Sequence, residues 1–421
     1  MGVDRDEVDG VAAAAEARVE AWLAQLEQPG IDLLEGVRRD AGGFAFTRGL
    51  LETIVGSADP FAAALGLREA SRNLPPSLPA RDRLAMRAGG IASLGLPWAV
   101  LPIARRWLRE RVSSLVLAAK IPGDEGADTA DARERKPEKR ARKSDLGEAI
   151  ASNREAGLTT VVALRGDDVL GPVGVETEIH RLKLLASLPE VTHLAIDPAR
   201  VLAGGSDWSV DRDAQLAALA LRPVLEAATA HDTTVLLTPT DYRGALLAPE
   251  ILVRALTAAA CDGLRAGVTL LAELPESRGI AERLIRFAHL RAKDGGAPLE
   301  VTVDIAGISG REQIASLGTG LAVPTLEGRV AQEAQWLRLM DLLLGASASG
   351  AVRVVAASED PHLLAAALEL AELRGGADTI ELQLRAGTAD GFARALAAAG
   401  HRVRVHLPFI PPKEFAGALG T

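Results

Sequence analysis

From Ser144 onward, short β-rich runs alternate with Ala/Leu/Arg stretches of helical period, and that alternation leaves the chain very few folds. The runs are Thr159–Leu164, Thr192–Ile196, Thr233–Leu237, Val268–Leu271, Leu299–Val303, Leu321–Val323, Val352–Ala356 and Thr379–Leu384. Between them lie stretches such as Asp213–Ala230 and Gln332–Leu344. Strand, helix and strand in succession imply right-handed βαβ units and a parallel sheet. Eight units over roughly 250 residues fit a closed barrel better than an open sheet. The runs are apolar on both faces, as strands are when helices cover the outside and side-chain layers fill the inside. A ninth run, Val403–Leu407, follows the eighth unit.

The preceding chain reads differently. Residues Met1–Ala119 combine Ala/Leu periodicity with proline breaks at Pro60, Pro75, Pro76, Pro79 and Pro97, the pattern of several short helices. Gly123–Lys143 has no large apolar side chain, so burial there cannot offset the entropy of ordering, and a solvated tether is expected. These shifts divide the chain into a helical arm over residues 1–120, a disordered charged linker over 121–144 and a barrel over 145–421.

Charge and composition exclude several function classes. The net charge of −9 supplies no field for nucleic acid or acidic membranes, and aromatics at 3% leave few stacking platforms for bases. One cysteine, Cys261, allows neither an intrachain disulfide nor a thiolate metal cluster, which points to a reducing, cytoplasmic setting. Asp4, Arg5, Asp6 and Glu7 stand where a signal peptide would begin its apolar core. The most apolar stretch, Gly90–Ile103, is broken by Pro97 and Pro102 and falls short of the roughly 20 residues a membrane span needs. No integral membrane segment is expected.

Several segments resemble a known family. Phe46–Leu51 (FTRGLL) and Pro97–Arg106 (PWAVLPIARR) are similar to the helical arm of bacterial bifunctional proline-utilisation proteins. Asp241–Arg243 (DYR), Val352–Ser358 (VRVVAAS) and Val403–Pro408 (VRVHLP) resemble barrel landmarks of their proline dehydrogenase portion. The resemblance implies an α/β fold: a (βα)8 TIM-like barrel of the proline dehydrogenase type preceded by an α-helical arm. It also implies FAD as cofactor and hydride transfer from proline, giving pyrroline-5-carboxylate. That chemistry needs cations for the flavin pyrophosphate and a charged clamp for the amino acid. An aldehyde dehydrogenase-type partner, or self-association, is implied as well.

The positions matching the family's site residues hold other side chains. After the third run the family's acidic stretch reads Thr238-Pro239-Thr240-Asp241, where only Asp241 is a carboxylate. The flavin-facing glutamine of the fourth strand corresponds to Leu271, followed by Glu273 in place of an aromatic. The arginine and lysine of the fifth strand correspond to Thr302 and Ile305. Beyond the sixth, a cofactor-contacting arginine corresponds to Gly328, with Arg329 next to it; at the seventh, a His-Asn pair corresponds to Glu359 and Asp360. Where the family has a helix with paired arginines, the chain reads Pro411-Pro412-Lys413-Glu414-Phe415-Ala416-Gly417, and no arginine follows Arg404. Asp197, Asp241, Glu273, Asp304, Glu359 and Asp360 all fall at or near strand C-termini, so an anionic mouth is expected. Such a mouth opposes a dinucleotide pyrophosphate.

Other motifs carry less. An acidic ring could hold a divalent cation through oxygen ligands, with Asp197, Glu273 and Asp304 as its candidates. The seven histidines, His180, His193, His231, His289, His362, His401 and His406, form no zinc-binding pair. Gly166–Gly171 (GDDVLG) lacks the lysine and hydroxyl of a phosphate loop, and neither Ser206 nor Ser358 sits in a nucleophile elbow. Cys261 reads as a buried small hydrophobe, and Trp98, Trp107, Trp208 and Trp336 as packing residues.

Three readings follow. The first is a family member that has lost FAD binding and proline oxidation and serves as a structural or partner-binding module of proline catabolism. The second is an active FAD-dependent oxidoreductase acting on proline or an analogue. The third is a metal-dependent enzyme built on the same barrel.

Overall fold

The computed structural model describes residues 5–25, 146–166, 171–202, 209–257, 263–376, 379–387 and 390–411, with a few single positions between 68 and 124. A two-residue strand, β1 (Leu117–Ala118), precedes eight longer ones: β2 (Thr159–Leu164), β3 (His193–Ile196), β4 (Thr234–Leu237), β5 (Ala266–Leu271), β6 (Leu299–Asp304), β7 (Val352–Ala357), β8 (Ile380–Arg385) and β9 (Val403–Ile410). All pairings are parallel. Each of β2 to β8 bonds to the next, and β9 bonds to both β8 and β2, so the sheet closes on itself as an eight-stranded barrel. β1 lies along the end of β9, pairing Leu117 with Phe409 and Ala118 with Ile410.

Helices form the outer layer: α1 (Arg5–Gln25), α2 (Leu146–Glu155), α3 (Gly171–Ala186), α4 (Val210–Ala230), α5 (Tyr242–Thr257), α6 (Ser277–Lys293), α7 (Ser309–Thr319), α8 (Arg329–Ser347), α9 (Pro361–Leu373) and α10 (Asp390–Ala398). Two of their starts are capped by side chains. Ser209 accepts from the Arg212 N–H at the head of α4, and Asp360 accepts from His362 ahead of α9, whose first residue is Pro361. α1, the described part of the expected arm, docks on α9 and α10. Trp22 meets Phe392 and His401 edge-on, and Arg18 bonds Glu369 at 2.7 Å and Glu372 at 2.8 Å. The arm segments FTRGLL and PWAVLPIARR, the charged linker beyond Asp124 and Cys261 lie outside the described residues; at the start of that linker Ile121 is buried and Asp124 pairs with Arg181 at 3.0 Å.

Two of the strand expectations are corrected. Leu321–Val323 is not a strand: it lies in the loop between α7 and α8, with Leu321 and Val323 exposed. A three-residue run bounded by Gly320 and Pro324 offers too little apolar surface to anchor a buried strand. The run beginning at Val403, expected as a ninth element, is instead the strand that closes the barrel. The β6-to-β7 crossover accordingly carries two helices.

The main core lies between strands and helices and includes Val162, Leu194, Val235, Val268, Val301, Val354, Leu382 and Val405. Trp336 of α8 is fully buried there, and its indole N–H donates to Val303 O at 3.1 Å and Ala357 O at 3.3 Å. Successive strand residues alternate between this layer and the lumen. On the lumen side Val161, Ala163, Ala195 and Leu236 make a small separate cluster.

Gly267 of β5 marks where two strands and a neighbouring side chain meet most closely. A Cβ there would stand 2.5 Å from Glu300 O, 2.7 Å from Glu300 Cβ and 3.0 Å from Leu236 Cδ2. Backbone atoms cannot move away cheaply, so Gly267→Ala should destabilise the fold by about 1–3 kcal/mol. Gly345 of α8 has open space around it, and Gly345→Ala should be neutral or stabilising by up to about 1 kcal/mol. Denaturant unfolding of the two variants measures the contrast.

Candidate functional site

The lumen is polar where most barrels of this kind are apolar. Arg404 of β9 is fully buried. Its guanidinium donates to Gln383 Oε1 on β8 at 2.7 Å, to Thr302 Oγ1 on β6 at 2.8 Å, and to Glu300 Oε1 on β6 in a very short contact. Glu381 of β8 stands 3.9 Å away. Since β9 and β6 are not neighbours in the sheet, these bonds cross the lumen. Burial pushes the Glu300 carboxyl up, but the charge and hydrogen bond of Arg404 outweigh it and hold the group below its usual range. Burial dominates at Glu381 and raises it. His193 of β3 is held down at about 4, first by burial and then by the Arg404 charge.

The C-terminal ends of the strands form the mouth, where barrel chemistry normally takes place. Asp197, just past β3, accepts from Thr240 Oγ1 at 2.5 Å and Ala199 N at 3.1 Å and pairs with Arg165 at 3.4 Å. Asp304, ending β6, pairs with Arg385 at 3.1 Å, and Arg385 also reaches Glu359 at 3.4 Å. Asp360 pairs with Arg329 at 3.3 Å. Asp241 is used locally, accepting from Gly244 N at 2.6 Å at the head of α5.

Glu273 is the most enclosed carboxylate of the set, with no exposed surface. It accepts from the backbone N–H groups of Ala306 at 2.9 Å, of Ile308 at 3.1 Å and of Gly307 in a shorter contact. Its own carbonyl accepts from Leu326 N at 2.7 Å. The carboxylate therefore fixes the turn that follows β6. Leu271 is buried with Ala245, Leu274, Ala306 and Ile308, and Tyr242 packs on the edge of this cluster. This apolar cluster gathers the end of β5, the turn after β6 and the start of α5.

The remaining expected positions are dispersed. Thr238 Oγ1 is 3.3 Å from Thr269 Oγ1; Thr302 is bonded to Arg404 in the lumen; Ile305 packs against the outer core. Gly328 precedes α8 with φ +80°, a backbone state that side-chain-bearing residues rarely adopt. The expected anionic mouth needs correction: Arg165, Arg329 and Arg385 stand among Asp197, Asp304, Glu359 and Asp360, so most of the charge is paired. Asp197, Glu273 and Asp304 each have their own donors, and among the described residues no group of three His, Cys, Asp or Glu side chains could hold a metal ion. Sequence reasoning missed Arg165, Arg385 and the Arg404 network. A signal existed, because an arginine at alternating positions with Glu300 and Gln383 in otherwise apolar strands has to face the lumen.

The architecture is a closed (βα)8 barrel with a charge-paired mouth, and comparison with known proteins gives its family. The family model for proline dehydrogenase matches residues 177–419, and the chain belongs to that family. Among solved structures, proline utilization A from Corynebacterium freiburgense superposes with a TM-score of 0.64 at 24% identity, covering 82% of this chain and 33% of that one. The Bdellovibrio bacteriovorus protein, inactivated by N-propargylglycine, gives 0.66 at 15% identity, covering 97% and 40%. The Bradyrhizobium japonicum protein gives 0.63 at 13% identity, covering 99% and 43%. This chain therefore spans less than half the length of each, and at these identities the likeness carries the fold alone. No curated protein sequence matches the chain. Among the described residues no helix is long and apolar enough to cross a membrane.

Two outcomes test the lumen network. Arg404→Met leaves the Glu300 carboxylate buried without its partner and should cost about 3–5 kcal/mol of unfolding free energy, read by urea titration. The second concerns pH. A histidine held at about 4 when folded and near its ordinary 6.5 when unfolded binds its proton more readily in the unfolded chain. Its contribution to stability is thus complete above the unfolded value and is lost as pH falls from 6.5 toward 4. Screening at the partly exposed ring reduces the effect to on the order of 2 kcal/mol. Glu381, raised by burial, runs in the opposite direction over part of that window, so the comparison of wild type with His193→Gln isolates the histidine. The variant should lose less stability between the two pH values than the wild type.

Proposed function

We propose that this chain is a proline dehydrogenase-type barrel that neither binds FAD nor oxidises proline, and that it serves as a cytoplasmic structural or partner-binding module of proline catabolism. One observation carries the reading: positions that the family resemblance assigns to the flavin are filled by the protein's own interior. Leu271 belongs to a buried apolar cluster, Thr302 is bonded to a buried guanidinium, and Glu273 is spent on three backbone N–H groups. The mouth cations support it further. For a pyrophosphate to recruit Arg165, Arg329 or Arg385, existing bonds to carboxylates would have to break, at about 1.5–3 kcal/mol for each charged hydrogen bond. The residues present do not fit FAD. A partner of the aldehyde dehydrogenase type accords with the bifunctional character of a proline utilization A protein whose structure this fold matches.

A second reading, an FAD-dependent enzyme acting on proline or an analogue, has one observation in its favour, the three guanidiniums at the mouth. Flavin content separates the two. The purified chain should be colourless, and FAD fluorescence should show no saturable quenching as protein is added. Stoichiometric yellow cofactor, or tight binding in the titration, would overturn the proposal. Single restorations should also fail: Thr302→Arg sets a second guanidinium against Arg404, and Gly328→Arg puts a side chain on a residue with φ +80°. Rescue of proline oxidation by either one would count equally against it.

A further inference from the structure

The outer face of α8 carries a stripe on which Glu327, Val330 and Arg338 are exposed, Ala331 and Ala334 are half-buried and Gln335 is buried at the floor. Glu327, just before the helix, and Val330, Ala331, Ala334, Gln335 and Arg338 recur at the three- and four-residue spacing of one helical face. With Pro275 and Arg278 at the head of α6 they line an open groove of about 580 Å³. Val330 is 80% exposed, the largest value among the exposed apolar side chains, and Leu321 and Val323 in the loop leading to α8 are exposed as well.

The order of residues along the stripe indicates what covers it. Glu327 and Arg338, Val330 and Gln335, and Ala331 and Ala334 are each symmetric about one point between Gln332 and Glu333. Neither Glu327 nor Arg338 is in an ion pair among the described residues, and both are exposed. Turned end for end, the stripe matches itself: acid faces base at both ends, and the two alanines meet in the middle. Small residues at the centre let two helices approach to the 8–10 Å or so of close packing. Self-complementarity of this kind is what a two-fold interface requires, because each contact must occur twice.

We propose that this face binds a second copy of the chain, with the two α8 helices antiparallel about a two-fold axis beside Ala331 and Ala334. Glu327 of each copy then pairs with Arg338 of the other, and Val330 covers the partner stripe near Gln335. Pro275 and Arg278, which line the same groove, widen the contact beyond the helices. The contact runs along α8 from Glu327, at the edge of the mouth, to Arg338 and requires no bound flavin.

Sedimentation velocity of the full chain over a range of concentrations tests it. The wild type should be a dimer. Glu327→Arg sets arginine against arginine at both ends, and Arg338→Glu sets acid against acid. Each should weaken dimerisation by about tenfold or more, as should Val330→Asp at the centre. Glu327→Arg combined with Arg338→Glu exchanges the charges and should restore the dimer, which mere damage to the fold could not do. Far-UV circular dichroism confirms that the exposed substitutions leave the helix intact. A wild type that stays monomeric throughout, or a dimer indifferent to the single exchanges, would overturn the proposal. Sedimentation reads association and the flavin titration of the unsubstituted chain reads cofactor binding, so failure of one assignment leaves the other standing.

Discussion

A single guanidinium spans the lumen of this barrel. Arg404 sits on β9, the strand that closes the ring, and bonds to Glu300 and Thr302 on β6 and to Gln383 on β8. A charge cannot be buried this deeply without partners, since the desolvation penalty is several kcal/mol per ion. Here the cost is offset by acceptors on strands that closure alone brings together. The clasp and the ring therefore depend on each other: an open sheet would leave Glu300 and Arg404 in water, and a closed one cannot leave either of them alone.

A filled lumen has consequences at the mouth. A catalytic barrel keeps a concave, preformed space above the strand ends. In this chain Leu271, Leu274, Ala306 and Ile308 pack together beside the ends of β5 and β6, next to the turn that Glu273 fixes through three backbone N–H groups. Elsewhere the mouth is tied by Arg165 to Asp197 and by Arg385 to Asp304 and Glu359. These pairs bond strand ends to one another across the mouth. The family scaffold persists because its stability rests on the layer between strands and helices, which is separate from the residues of the mouth.

α8 shows the same division within one helix. Its inner face buries Trp336, whose N–H bridges β6 and β7 through Val303 O and Ala357 O. Its outer face carries the palindromic stripe. The second helix of the β6-to-β7 crossover thus anchors the wall from one side and offers a surface from the other. These roles do not compete, because residues three and four apart share a face while their neighbours point elsewhere.

Much of the fold was legible in the sequence. Seven of the expected β-rich runs, from Thr159–Leu164 to Thr379–Leu384 without Leu321–Val323, became strands, since runs apolar on both faces can be buried only in a covered parallel sheet. The exception failed because local β preference without length or burial does not make a strand. The strand that closes the ring could not be told from a trailing one by composition, since closure is a property of pairing and not of any segment. The site was legible only as a set of residue types. Carboxylates at strand ends suggested an anionic mouth, whereas the structure pairs them with Arg165, Arg329 and Arg385, cations contributed by other strand ends and a helix start. Sequence alone determined the strand–helix alternation and pointed to the family. Only the tertiary structure decided which charges meet, because ion pairs depend on distances of 3 to 4 Å or so between strands far apart in the chain.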